Sequence, residues 1–422
     1  MATNIVDLVN SIVAEGPNTL KEYIPTATLE NINDVATPIL NYESVLNDFI
    51  STLANKAIFG SIVKNNLNNR LSPLKKKTVP LAFDVEEWQV NRAKGKEFNR
   101  SGTNLLTNDS APDAVVTYHR TNRKQTYSVD LEYELLKFGF TDWSNLETVY
   151  NYLVGSLANG DSDDEFILMK NLMGQAVVNG DVTSLSVDYI IGADGKISKD
   201  AIEALVADAK IVSSGMTFAN SIYNKYAALE PGATARRNRT DWEDLVIILR
   251  NDIAQTQNVN YWASVFNLDP AAYQAQVIIT DDFGVGANVG AFICDRQFFQ
   301  VYDKMRRTNS FLNASNLCET IYHHVFQVMG YSVLCNAAAI VFPEVALTVT
   351  TNNTNTVAGN TVEGATVTVY NNFLPIESAK ATTGGAYSVD ISAASLTANT
   401  EVTVITSYRG SGSSKVVKLV SA

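Results

Sequence analysis

Histidine and cysteine, the side chains that most often bind metals or attack substrates, are nearly missing from this 422-residue chain, which holds three of each. His323 and His324 are adjacent, so on a strand they point to opposite faces and do not easily share one metal; the third is His119. Cys294, Cys318 and Cys335 lack the close CxxC pairing of a zinc site, and their odd number and wide spacing argue against a disulfide framework. The thiols point instead to synthesis in a reducing cytoplasm. No serine nucleophile elbow occurs. Long apolar runs are missing too: the longest, near Ala337 to Phe342, falls far short of the roughly 20 residues that cross a bilayer. The opening MATNIVDLVNSIVAEG has no basic start and carries Asp7 inside its apolar stretch, so it reads as an amphipathic helix and not as a signal peptide. No catalytic set, cofactor, metal site or membrane partner is expected.

Three segments imitate chemistry and fail on spacing. GADGKISKD at 192–200 has the Asp194–Gly195 centre of a calcium loop, but the first, third and twelfth loop positions fall on Ile190, Gly192 and Ala201, which offer no side-chain oxygen. It reads as a turn with Ser198 as a helix cap. Asp161, Asp163, Asp164 and Glu165 could bind a cation, and a solvated helix start accounts for them more simply. GVGANVG at 284–290 departs from GxGxxG and precedes a strand, so it reads as the loop of a hairpin joining Val277–Ile279 to Ala291–Ile293.

What is present suits a folded assembly protein. Hydrophobic residues make up 46%, as in globular chains, and the length suits one large and one small domain. The net charge of −12 opposes generic adhesion to nucleic acid or anionic membrane. It is unevenly spread: residues 61–130 hold 12 of the 32 Lys and Arg but 7 of the 44 Asp and Glu, a balance of +5 against −17 elsewhere. A solvated face would explain the contrast; a chain that lays one arm over a neighbouring copy would use it for registration. We prefer the second reading.

Along the chain, Tyr42 to Ala57 has helical spacing. From 61 to about 130 a polar stretch too long for an ordinary loop returns in β-rich segments at Val115–Tyr118 and Thr126–Leu131, which reads as a protruding two-stranded arm. Asp142 precedes a helical pattern to Leu157; NGDSDDE interrupts it at 159–165 before spacing resumes at Phe166, so two helices or one bent helix both fit. Helices are expected over 198–228, in DWEDLVIILRNDI and in NYWASVFNL before Pro270. After Pro343 the composition shifts to Thr, Val, Asn, Ser and Gly with alternating strands, an all-β sandwich of about 80 residues.

A VIIT-like strand, a glycine loop, FICDRQFFQVYD, and YHHVFQV followed by NAAAIVF resemble, in that order, the C-terminal third of the major capsid proteins of short-tailed phages of the phi-twenty-nine type. LKEYIPTATLENINDVATPILNYESVLNDFISTL at 20–53, PLKKKTVPLAFDVEEW at 73–88, TDWSNLETVYNYL at 141–153 and ATARRNRTDWEDLVIILRNDI at 233–253 extend the resemblance over roughly residues 15–342. VEGATVTVY with TTGGAYSVD resembles bacterial immunoglobulin-like modules.

The resemblance implies an α+β chain with the Hong Kong 97-type phage capsid fold over 1–342, followed by an all-β immunoglobulin-like sandwich over 343–422. Within the core it implies an N-terminal arm and helices (1–60), an E-loop (61–131), a spine-helix region of the peripheral domain (132–185), an axial domain (186–315) and peripheral return strands (316–342). It implies a major capsid protein that is not an enzyme, self-assembling into pentamers and hexamers of an icosahedral head shell around double-stranded DNA. A separate scaffolding protein is implied because the sequence opens directly on core-like segments, and a portal protein accompanies such shells. The location would be the virion, after assembly in the host cytoplasm. Lys75, Lys76, Lys77, Arg92, Lys94, Lys96 and Arg100 lie in the implied E-loop as inter-subunit contacts. Three successive lysines suit electrostatic contact better than one tuned cross-linking nucleophile. Arg236, Arg237 and Arg239 would face either DNA phosphates or a neighbour's acidic groups. The rival reading is a bacterial surface or pilus-like structural subunit, against which the lack of a secretion signal counts.

Overall fold

A computed structural model describes residues 2–28, individual positions between 31 and 52, and residues 69–91, 93, 100, 114–132, 143–188, 199–224, 237–256, 277–313, 318–408 and 411–421. The N-terminal pattern forms helix α1 (Ala2–Glu15), which buries Val9 and Ile12, and a short α2 (Asn18–Tyr23) that buries Leu20. The side chain of Asn10 bonds both backbone groups of Ala27 and so ties the chain back onto α1. The helix expected over 42–57 lies largely outside the described residues.

A five-stranded mixed sheet carries the main core. Its order is β4 (Thr183–Ser186), β10 (Ala337–Val341), β7 (Val289–Asp295), β5 (Leu245–Arg250) and β6 (Val277–Thr280), with β4 parallel to β10, β6 parallel to β5, and the inner pairs antiparallel. Two expectations are corrected here. LVIILR is not helical: it is a strand buried at every position, followed by the short helix α5 (Asn251–Thr256). An unbroken apolar run is ambiguous by periodicity, and this one is apolar throughout because both faces of the sheet are covered. NYWASVFNL lies outside the described residues. The glycine loop is also not a hairpin, because β5 lies between β6 and β7, and residues 281–288 cross over it.

The two covers are helices. Helix α4 (Lys199–Met216) packs Ile202, Leu205, Ala209 and Val212 onto Leu245, Ile247, Ala291, Ile293 and Ile340. On the opposite face, helix α3 (Trp143–Val178) packs Met169, Met173 and Ala176 onto Val246, Ile248, Phe292, Cys294 and Ala339. At about 1.5 Å per residue its 36 residues span some 54 Å. Of the two forms that the spacing allowed, two helices or one, α3 is a single helix that runs through 159–165.

Along α3 also runs a three-stranded antiparallel sheet of β3 (Arg123–Glu132), β9 (Cys318–Tyr331) and β8 (Phe299–Asn313), with a register shift between Asp303 and Met305. Before it, β1 (Val85–Val90) and β2 (Ala114–His119) pair as a separate two-stranded ribbon. Thr126–Leu131, read as part of the arm, belongs to β3 and pairs with β9 instead.

Beyond Pro343, seven strands form a sandwich: β11 (Thr348–Asn352), β12 (Thr356–Asn360) and β15 (Ala386–Asp390) face β14 (Leu374–Lys380), β13 (Thr366–Asn371), β16 (Glu401–Tyr408) and β17 (Ser411–Lys418). Its own core comprises Val357, Val367, Val369, Tyr387, Val389, Val402 and Val404. No helix among the described residues is long and apolar enough to cross a membrane.

Candidate assembly surfaces and the charge cluster beneath them

Asp161, Glu165, Met169 and Met173 recur every four residues, so they form one stripe along α3. The whole stripe is buried, acidic at one end and apolar at the other. The apolar end covers the five-stranded sheet. The acidic end faces the three-stranded sheet, where three cations meet it. Arg123 from β3 lies 2.9 Å from Asp161; Arg306 from β8 lies 3.1 Å from Asp161 and 2.8 Å from Glu165; Lys75 lies 2.8 Å from Glu165 and 3.0 Å from Asp303.

Neutral donors add bonds at Glu165 and Asp164, while Asp161 Oδ1 meets Arg123 as an ion pair only. Glu165 also accepts from the amides of Asn69 at 2.8 Å and Gln327 at 2.6 Å, while Tyr127 donates to Asp164 at 2.6 Å. Buried charge survives only when paired and hydrogen-bonded in this way. The cluster joins α3, β3, β8, β9 and the segment leading to the ribbon. Asp161 and Glu165 are therefore not a solvated helix start, and they lie mid-helix.

Burial alone would raise the Asp161 carboxyl, but the His323 imidazole 3.9 Å away and the Arg306 and Arg123 guanidiniums outweigh it and hold the group below its ordinary value. Burial acts the same way on Asp303, where the Arg306 and Lys75 charges prevail and lower it. At 3.9 Å the His323–Asp161 contact is electrostatic and too long for a hydrogen bond.

The ribbon stands on this base with two unlike faces. Its inner side is polar and anchored: Glu87 accepts from Ser332 at 2.5 Å and lies 3.1 Å from His119, and Gln89 donates to Asn238 at 2.6 Å. Lys304, at the register shift of β8, donates to the carbonyl of Phe83. Burial would raise Glu87, yet hydrogen bonds from His119 and Ser332 lower it. The outer side is open and largely apolar, with Glu86 on the same face accepting from the Trp88 indole at 3.1 Å. Trp88 is 61% exposed and pairs across the ribbon with Val116; Tyr118, Val90 and Phe83 are exposed beside it. Three large apolar side chains on one face of a narrow ribbon, Trp88, Val90 and Tyr118, form a patch that invites a partner.

The residues singled out from the sequence fall into three groups. Lys75 turns inward and is held within its own subunit, while Lys77 is exposed and the amide of Lys76 donates to Val301 on the edge of β8. Arg100 is exposed; Arg92, Lys94 and Lys96 lie outside the described residues. Arg237 is exposed, Arg239 is exposed and paired with Asp241 at 2.5 Å, and Arg236 lies outside the described residues. Residues 189–198, with the calcium-like turn, also lie outside them.

Among the described residues no group of three or more His, Cys, Asp or Glu could hold a metal. His323 is buried against Asp161, and His324 bonds Thr126 across the strand pair, on the opposite face. Burial raises the Cys294 thiol well above its ordinary value and pushes Cys335 up to about 12, so neither is a nucleophile. Sequence reading missed the acidic stripe, Arg123, Arg306 and Trp88. The four-residue spacing from Asp161 to Met173 was the available signal.

The family model of the Phi29-like phage major capsid protein matches residues 9–341. The major capsid protein of Bacillus phage PZA is 26% identical over 344 residues, covering 81% of this chain and 74% of that protein. That of Streptococcus phage Cp-1 is 22% identical over 345 residues, covering 78% of this chain and 92% of that protein. Among solved structures, the capsid of Staphylococcus phage Andhra aligns with a TM-score of 0.53 at 16% identity, over 68% of this chain and 88% of that one, which is a likeness of fold. Colinear similarity through both sheets, the ribbon and the spine of α3 leaves one assignment: the chain belongs to the Phi29-like phage major capsid protein family and forms the shell of a phage head.

Proposed function

We propose that the chain is the repeating subunit of an icosahedral shell around double-stranded DNA, with the ribbon of β1 and β2 acting as the E-loop that grips the next copy. The observation that carries this reading is the split character of the ribbon, bonded to its own subunit on one face and largely apolar and exposed on the other. Trp88 is the anchor, because an exposed aromatic with apolar neighbours is the kind of side chain that dominates interface energies. Lys77 and Arg100 would add charge attraction to the acidic remainder of a neighbour. Pentamers and hexamers, a separate scaffolding protein, a portal and phosphate contacts through Arg237 complete the reading, with assembly in the host cytoplasm. The C-terminal sandwich is read as an immunoglobulin-like module, from its seven strands in sheets of three and four.

The test is assembly of Trp88→Ser followed by light scattering and electron microscopy. Folded monomers that fail to close shells would support the ribbon as the grip. Normal shells from Trp88→Ser, and from Trp88→Ser with Tyr118→Ser, would overturn it.

A further inference from the structure

The C-terminal sandwich touches its own subunit at more than its covalent link, and two of its contacts fall on the glycine loop and on the helix beneath it. Asn171 of α3 is 1% exposed and makes three bonds. Its Nδ2 donates to Ile167 O at 2.9 Å and to Phe373 O at 2.6 Å, and its Oδ1 accepts from the amide of Val285 at 2.9 Å. One buried side chain thus joins the spine helix, the loop at 281–288 and the turn between β13 and β14. That turn is built for the contact: Asn372 and Phe373 have φ of 48° and 68°, a two-residue hairpin bend that aims the Phe373 carbonyl at the helix.

The second contact is at the far end of the sandwich. Gly412 on β17 lies so close to Ala287 of the loop that a β-carbon at 412 would overlap the Ala287 side chain. Beside it Val345 donates to Gly412 O at 3.2 Å, and the Ser411 hydroxyl donates to Pro343 O. The loop between these contacts is itself held from below, where Lys170 lies 2.8 Å from Asp281 and 3.1 Å from Asp282. Asn288 and Phe342 exchange bonds at 2.8 and 3.1 Å, which joins the loop to the strand that leads into the sandwich.

The geometry points to the sandwich as a brace for its own subunit: seated across the glycine loop, it clamps that loop against α3 and so stiffens the five-stranded sheet that the loop crosses. An appendage tethered only by its linker would not need a buried Asn171 donating to its backbone. A loop that spans β5 with two glycines in its eight residues, Gly284 and Gly286, gains most from an external clamp, since glycine loses the most conformational freedom on ordering. In this reading the module acts first on the shell's building block, whatever else it meets outside.

Hydrogen exchange on the full-length chain tests the brace. Asn171→Asp keeps the acceptor for Val285 but replaces the donor to Phe373 with a second acceptor. Ala287→Leu wedges the loop away from Gly412 without touching α3. Both variants are expected to speed exchange at 371–376 or 411–413 and, in step with it, at 283–290 by at least tenfold, while the sandwich core around Val367 and Val404 stays protected. Wild type should unfold core and sandwich in one cooperative transition. Loop protection unchanged after the sandwich contacts loosen would overturn the proposal. So would exchange unaltered at every site in both variants, or two independent transitions in wild type.

Discussion

Arg123 and Asp161 meet at 2.9 Å with 3% and 7% of their side chains exposed, and this pair locks β3 to the middle of α3. Removing Asp161 leaves the buried Arg123 charge without its carboxylate partner, whereas Asp161 would still have Arg306 at 3.1 Å if Arg123 were lost. Asp161→Asn is therefore expected to cost about 3–5 kcal/mol, read as a lowered urea midpoint at unchanged slope. Replacing Arg123 by Met and Asp161 by Leu together should cost less than the sum of the single changes, since no lone charge remains. Additive losses would deny the pairing.

Acid should act through the same groups. Asp161, Asp303 and Glu87 are all held below their ordinary values of 3.8, 3.8 and 4.5 in the folded chain. A carboxyl with a depressed folded value binds protons more weakly folded than unfolded. Its stabilisation is complete above the unfolded value and is lost as pH falls through the folded one. Asp295, raised by burial, acts in the opposite sense. With the depressed groups in the majority, the denaturation midpoint should be flat from neutrality to about pH 5 and fall steeply below about pH 4. Asp303→Asn should make that fall shallower; an unchanged profile would count against the assignment.

Two glycines of α3 should answer alanine with opposite signs. Gly155 has nothing within 4 Å of an added β-carbon, so Gly155→Ala should stabilise the helix by up to about 1 kcal/mol. At Gly174 the same methyl would run into the backbone nitrogen of Gly286 and the carbonyl of Phe283. Gly174→Ala should cost roughly 1–3 kcal/mol or more, because backbone cannot rotate away as a side chain does. Paired thermal melts decide it, and equal effects would show that the loop does not approach the helix so closely.

Thiol chemistry offers a check on the core. Cys294 and Cys335 are free, and burial raises both thiols. Mass spectrometry after brief alkylation of the native chain at pH 8 should find both unmodified, and denaturant should expose both. Rapid native labelling of Cys294 would place the sheet's inner face in contact with solvent.

How much of this was legible beforehand depended on whether meaning was local. The start of α1, the single long excursion before β3 and the change of character after Pro343 are local patterns of period and composition, and they were read from the residues directly. LVIILR was misread because a strand covered on both faces and a buried helix segment are equally apolar. The glycine loop looked like a hairpin because a turn sequence says that the chain bends without saying which strand lies beside it. NGDSDDE looked like a helix break because its partners, Arg123, Arg306, Lys75 and Gln327, come from up to 162 positions away. Acid in a helix signals solvent until the fold brings its cations to it.

The ribbon's inner face is held by a few polar bonds, each worth about 0.5–1.5 kcal/mol net or about 1.5–3 kcal/mol where the Glu87 carboxylate accepts, whereas removing one partner from the charge cluster costs about 3–5 kcal/mol. Compliance is thus expected at the ribbon's root and rigidity in the body, so amides of Val85–Val90 should exchange ahead of those in β9. Subunits at unlike positions on a curved surface can then differ in the aim of one slender lever while their bodies remain superimposable.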